Sequence, residues 1–242
     1  GHNLSVSSFV VYYGSNRVEE LCRFDLAILS PLLEKHVVDQ LSGFNVICVG
    51  YLSITTVGGW EPWAANVTDE IVVGESSVWG EKIVNACDPA WWSIVLNYSI
   101  PYILEKGFSG VFLDNLDMVD VYPWMKECLI LLIKEIRSRY PGIIIVVNRG
   151  FTIIDDIAPY IDAVLFECFG TYYDFKTGKY LKWTGGDYQW ITSVAEHLVE
   201  LRGKCNITVL ALGYADLGNE TMLQEYSNYV NSLAEEYGFI PY

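Results

Sequence analysis

The sequence predicts a (β/α)8 barrel forming a single domain over residues 1–242, on three observations. Eight short β-branched runs recur along the whole chain, and amphipathic segments with legible ends separate them. The runs are continuously apolar rather than alternating, as expected of parallel strands buried on both faces. An open doubly wound sheet is the competing arrangement, and no GxGxxG follows the first run to support it.

In order, the runs are SSFVVYY (7–13), FDLAILS (24–30), FNVICVGYL (44–52), SGVFLD (109–114), IIIVVN (143–148), IDAVLFE (161–167), ITVLALGY (207–214) and GFIPY (238–242). Of the intervening segments, DPAWWSIVLNYSIPYILEKG has Asp88 placed to cap, Pro89 at the first helical position and Gly107 at the stop; Pro101 predicts a kink. PWMKECLILLIKEIRSRYPG carries Met125, Cys128, Leu132 and Ile136 at helical spacing and stops before Pro141. NETMLQEYSNYVNSLAEEYG starts on Asn219 and ends at Gly238. The chain stops at the eighth run, so a last outer helix is absent or replaced by the N-terminal segment.

At 242 residues and 52% hydrophobic content, one large core is within reach. A net charge of -15 without a basic stripe argues against a nucleic-acid partner and fits a neutral or cationic ligand better. No apolar run approaches the roughly eighteen residues of a membrane helix. Asn-x-Ser/Thr occurs at Asn3, Asn66, Asn97, Asn206 and Asn219, where chance gives roughly one such site, so an extracellular or cell-surface glycoprotein is expected. The six cysteines show no zinc-site spacing; they read either as buried thiols or as one or more disulfides.

In such barrels chemistry sits where strands end. Asp114 ends the fourth run, Asn148 the fifth and Glu167 the sixth, with Tyr12, Tyr13, Tyr51 and Tyr214 near the ends of the first, third and seventh. The two longest connections leave the same face. Residues 53–87 hold Trp60, Trp63 and Trp79, and residues 168–187 hold Phe169, Tyr172, Tyr173, Tyr180 and Trp183, rings suited to stacking on sugars or to packing the loops down.

The only histidines are His2, His36 and His197, at the terminus or in helical segments, and GxSxG is absent, so neither a Ser-His-Asp triad nor a His-rich metal site can be assembled at the mouth. Two carboxylates on different strands, Asp114 and Glu167, are the minimal equipment for glycosidic hydrolysis, with no cofactor and no metal. Each also has a plainer reading: Asp114 as a loop cap, Asp117 as a helix N-cap, Glu167 as the partner of Arg149.

YYG at 12–14, YLSI at 51–54, the stretch from Trp79 through CDPAWW to GFSGVFLDNLD, NRG at 148–150 and DAVLFE at 162–167 resemble, in order, the signature segments of glycoside hydrolase family 114. These are the endo-α-1,4-polygalactosaminidases and their bacterial and archaeal relatives. The resemblance covers nearly the whole chain. It implies a barrel that hydrolyses an amino-sugar polysaccharide with Asp114 and Glu167 as the catalytic pair; by analogy with related α-galactosidase-like barrels, Asp114 is expected as nucleophile and Glu167 as general acid/base, with retention at the anomeric carbon. Tyr12, Tyr51, Asp117, Asn148 and Tyr214 become substrate contacts, joined by the loop rings Tyr172 and Trp183. Many members follow YLSI with Gly-Glu, whereas this chain has Thr55 and Thr56 there, with Glu61 the candidate substitute. A carbohydrate-binding protein without turnover, and a Mg or Ca enzyme using Asp114, Asp117, Asn148 and Glu167, are the alternatives.

Overall fold

A single sheet of eight parallel strands runs around the molecule in chain order: Phe9–Tyr12, Leu26–Leu29, Ile47–Ser53, Gly110–Asp114, Ile144–Asn148, Ala163–Glu167, Thr208–Leu212 and Ile240–Pro241. They are called the first to the eighth strand below. The computed structural model describes residues 4–78 and 80–242, so His2, Asn3 and Trp79 of the reading above lie outside the described residues. The first and eighth strands meet through rings, Tyr242 lying 5.8 Å from Phe9 and 5.9 Å from Phe24.

Alternation sorts the strand side chains into two cores. Phe9, Leu26, Ile28, Val49, Phe112, Val146, Leu165 and Leu210 form one buried cluster, the filling of the barrel. Their odd-even neighbours, such as Val10, Leu29, Cys48, Val111, Val147, Val164 and Ala211, join the larger cluster beneath the helices. Strand spacing is tight enough that a β-carbon at Gly110 would overlap the Ile144 carbonyl, which accounts for glycine at the start of the fourth strand.

The helices follow the sequence signals closely. Asp88 accepts from the Ala90 N–H at 2.8 Å, and Asn219 accepts from the Met222 N–H at 3.1 Å ahead of Glu220–Tyr237, which Gly238 ends at φ 70°. Pro101 is answered without a break. Pro89–Ile94, Val95–Ser99 and Ile100–Glu105 run on from one another, and the middle segment is π-helical, opening the turn where the proline ring would strike a carbonyl and a donor is missing.

Lys126–Arg139 carries two fastenings. Cys128 is disulfide-bonded to Cys87 at the end of the long third loop, leaving Cys22, Cys48, Cys168 and Cys205 free. Arg137 reaches under the sheet, donating to Asp162 at 2.8 Å and to the Tyr160 and Ile143 carbonyls at 2.8 Å each. The buried Asp162 carboxylate also accepts from the Ile145 N–H, tying the fifth and sixth strands at the end away from the mouth.

The two long loops are structured rather than irregular. Thr56–Val57, Lys82–Val84 and Val72–Glu75 make a three-stranded antiparallel sheet after the third strand. Thr171–Asp174 and Lys179–Lys182 pair as a hairpin after the sixth. No helix among the described residues is long and apolar enough to cross a membrane.

Candidate active site

Strand parity sets what faces the mouth. With Phe112 inside the barrel, Asp114 two residues on points the same way; Val146 does the same for Asn148, Leu165 for Glu167, Val49 for Tyr51, and Leu212 for Tyr214. After Asp114, Asn148 and Glu167 the next residue, Asn115 (φ 66°), Arg149 (φ 52°) and Cys168 (φ 59°) respectively, is in left-handed conformation and ends the extended strand. Asn115 is held there by its amide donating to Ser53 Oγ at 2.8 Å, while Thr55 Oγ1 donates to the Asn115 carbonyl at 2.9 Å.

Asn148 links the two carboxylates. Its Nδ2 donates to Asp114 Oδ1 at 3.0 Å and to Glu167 Oε2 at 2.6 Å. The remaining oxygens are taken by phenols, Tyr51 donating to Asp114 Oδ2 at 2.7 Å and Tyr214 to Glu167 Oε1 at 2.6 Å. Burial pushes the Asp114 carboxyl above the usual carboxylate range; Tyr51 and Asn148 oppose the shift by favouring the ionised form, and the charge of Glu167 adds to it. Burial and the adjoining carboxylates push the Tyr51 and Tyr214 phenols far up, so both remain donors.

The mouth opens as a cavity of about 820 Å³ whose lining includes Tyr13, Tyr51, Trp60, Glu81, Asp114, Asp117, Asn148, Arg149 and Glu167. Asp117 stands at the N-cap position of Met118–Val121, but its side chain makes no capping hydrogen bond. It accepts from the Gly150 N–H at 3.1 Å, and burial raises its carboxyl while Arg149 draws it back. Arg149 is not the partner of Glu167 in an ion pair; its guanidinium lies 5.4 Å from the rings of both Phe151 and Trp190. Among the described residues no group of three or more His, Cys, Asp or Glu is arranged to hold a metal.

A scan against family models matches the model of glycoside-hydrolase family GH114 over residues 24–230. The chain belongs to glycoside hydrolase family GH114. No curated protein sequence matches it. Among solved structures, the glycoside hydrolase domain of PelA from Pseudomonas aeruginosa superposes with a TM-score of 0.84 at 20% identity, over 98% of this chain and 94% of that one. Aspergillus fumigatus Ega3, solved in complex with galactosamine, gives 0.66 at 16% identity over 88% and 79%. Thermus thermophilus α-galactosidase gives 0.60 at 10% identity over 99% and 58%. At these identities the likeness is one of fold. Membership of GH114 makes the chain a glycoside hydrolase and its ligand a carbohydrate.

Of the residues singled out from sequence, this GH114 chain gathers Asp114, Glu167, Asn148, Tyr51, Asp117 and Tyr214 around one mouth. Tyr12 is a correction. Parity turns it outward among the residues beneath the helices, where its hydroxyl bonds Asn16, and it is Tyr13 that enters the cavity, its ring 5.3 Å from Tyr51. Tyr172 and Trp183 are outside the cavity as well; they stack on each other at 3.6 Å, and the indole donates to the Cys168 carbonyl, so these rings pack the hairpin down. Glu61 does not reach the mouth, since its carboxylate is buried against the Gly58 and Gly59 N–H groups of its own turn. The loop carboxylate on the cavity wall is Glu81, which no periodicity or strand-end position marked.

Proposed function

We propose that the chain is a retaining hydrolase of α-linked amino-sugar polysaccharides, with Asp114 as nucleophile and Glu167 as general acid and base. The observation that carries this reading is the shared amide of Asn148. Bonds of 3.0 and 2.6 Å to one nitrogen keep the two carboxylate oxygens within 5.6 Å of each other. Retaining pairs stand roughly 5–5.5 Å apart, whereas inverting pairs need roughly 6.5–9.5 Å to admit a water.

In the first step an Asp114 oxygen bonds the anomeric carbon as Glu167 gives its proton to the departing glycosidic oxygen. In the second, Glu167 takes a proton from water, whose oxygen displaces Asp114 from the same carbon and restores the starting configuration. Neither step needs a cofactor or metal.

The amino-sugar assignment is supported by charge. Glu81, Asp114, Asp117 and Glu167 line the cavity with Arg149 as the one arginine among its lining residues, and the chain carries -15 overall. An extracellular setting is supported by the Cys87–Cys128 disulfide and by exposed Asn66, Asn97, Asn206 and Asn219, each within an Asn-x-Ser/Thr triplet.

Reducing-end release from neutral, acetylated and deacetylated α-linked glycans tests the reading. Wild type should cleave a deacetylated or partly deacetylated polymer, releasing the α-anomer first, while Asp114→Asn and Glu167→Gln lose about three orders of magnitude or more. Inversion, or turnover surviving Asp114→Asn, would overturn it; binding without turnover would favour a carbohydrate-binding protein on a hydrolase scaffold.

A further inference from the structure

Two cavity carboxylates have no part in the bond-breaking steps, Asp117, which is engaged by the Gly150 N–H and the charge of Arg149, and Glu81. Glu81 comes from the three-stranded sheet of the third loop, directly ahead of Lys82–Val84, and is half-buried on the wall. Among the described residues no Lys, Arg or His forms an ion pair with it. Burial holds its carboxyl above the ordinary range, the Thr56 hydroxyl opposes the shift by favouring the ionised form, and the charges of Glu61 and Asp114 add to it. Glu61 itself is committed to backbone N–H groups.

The wall beside Glu81 is aromatic. A β-carbon built on Gly58 would stand 2.7 and 2.8 Å from the Trp60 ring and 3.5 Å from Glu81 Oε1, so the indole and the carboxylate converge on one α-carbon that only glycine leaves clear. An apolar face next to an uncompensated anion matches a sugar ring carrying an ammonium group.

We propose that Glu81 selects a sugar with a free, protonated amine over its acetylated or hydroxyl counterpart. This rests on the amino-sugar reading above. A bound ammonium offsets the like charges of Glu61 and Asp114 that act on Glu81, whereas an acetamide or hydroxyl leaves them in place and must also desolvate the carboxylate.

Matched α-linked oligomers of galactosamine, N-acetylgalactosamine and galactose, with wild type, Glu81→Gln and Glu81→Asp, provide the test. In Glu81→Gln the ratio of kcat/KM for the amine oligomer to that for the acetylated one should fall at least tenfold, mainly through KM, with Glu81→Asp recovering part of it. Thermal unfolding of both variants reads any general damage. An unchanged ratio, or equal losses on all three oligomers, overturns the proposal while leaving the amino-sugar reading intact. Failure of wild type on every amine-bearing oligomer overturns both.

Discussion

At Asn148 a single amide nitrogen serves two carboxylates, and each carboxylate has its own phenol, so the charge state of Asp114 depends on two donors working against burial. Removing one has a calculable sign. Tyr51→Phe takes a donor from the ionised form, so the Asp114 carboxyl rises further; because Asp114 must be ionised to act as the proposed nucleophile, the acid limb of the kcat/KM profile should move to higher pH. A hydrogen bond to a charged group contributes roughly 1.5–3 kcal/mol, hence a displacement of about one to two pH units. A profile whose acid limb stays where it is in wild type contradicts this account. That Asp114, Asn148 and Glu167 share one mouth was legible because each closes a continuously apolar run and strand ends of a barrel converge there, whereas the plainer readings of loop cap and ion pair could be weighed only against the folded contacts. Tyr12 misled because YY at a strand end carries no parity mark; Phe9 and Val11, facing inward with the barrel filling, fix it only once the register with Leu26 and Ile28 is known. Glu81 was illegible for a different reason, since a loop carboxylate acquires meaning from Thr56 and Trp60 only when the loop is folded.

Among the elements, the third loop depends on its anchor. The Cys87–Cys128 bond closes 41 residues between that loop and Lys126–Arg139. On the chain-entropy account such closure contributes about 4 kcal/mol, so the double variant Cys87→Ser/Cys128→Ser should lose about 3–4 kcal/mol in denaturant unfolding, and wild type under reducing agent should match it. A loss below about 1 kcal/mol would mean that the loop is held by its own packing, Trp63, Ile71 and Val84 being already buried. Cysteine spacing could not give the pairing, because the partners meet only through tertiary placement. The short strands of this loop were equally hidden, two to four residues being too few for period two to register. Helix ends, by contrast, are local chemistry: Asp88, Asn219 and Gly238 act where the sequence put them.

For the molecule as a whole, the order of eight runs was enough to give the barrel, since continuous apolar stretches alternating with helices have few other solutions. Its closure by Tyr242 against Phe9 and Phe24 needed coordinates. The net charge of -15 acts at this scale too. With a cationic polymer, kcat/KM should fall as ionic strength rises from 0.1 to 1 M and the screening length shrinks from about 10 to about 3 Å, while a neutral glycan shows little change. Equal salt dependence for both would confine the charge to keeping the surface solvated.

The three-stranded sheet that bears Thr56 and Glu81 leaves the barrel after Ser53 and is stapled back at Cys87, whereas Asp114, Asn148 and Glu167 stand on strands outside it. On the roles proposed for Glu81, Asp114 and Glu167, choosing the sugar and cutting the bond fall to separate pieces of chain, so exchanging residues 54–86 between two barrels of this family should carry the sugar preference with the insert and leave the bond-cleaving pair in place.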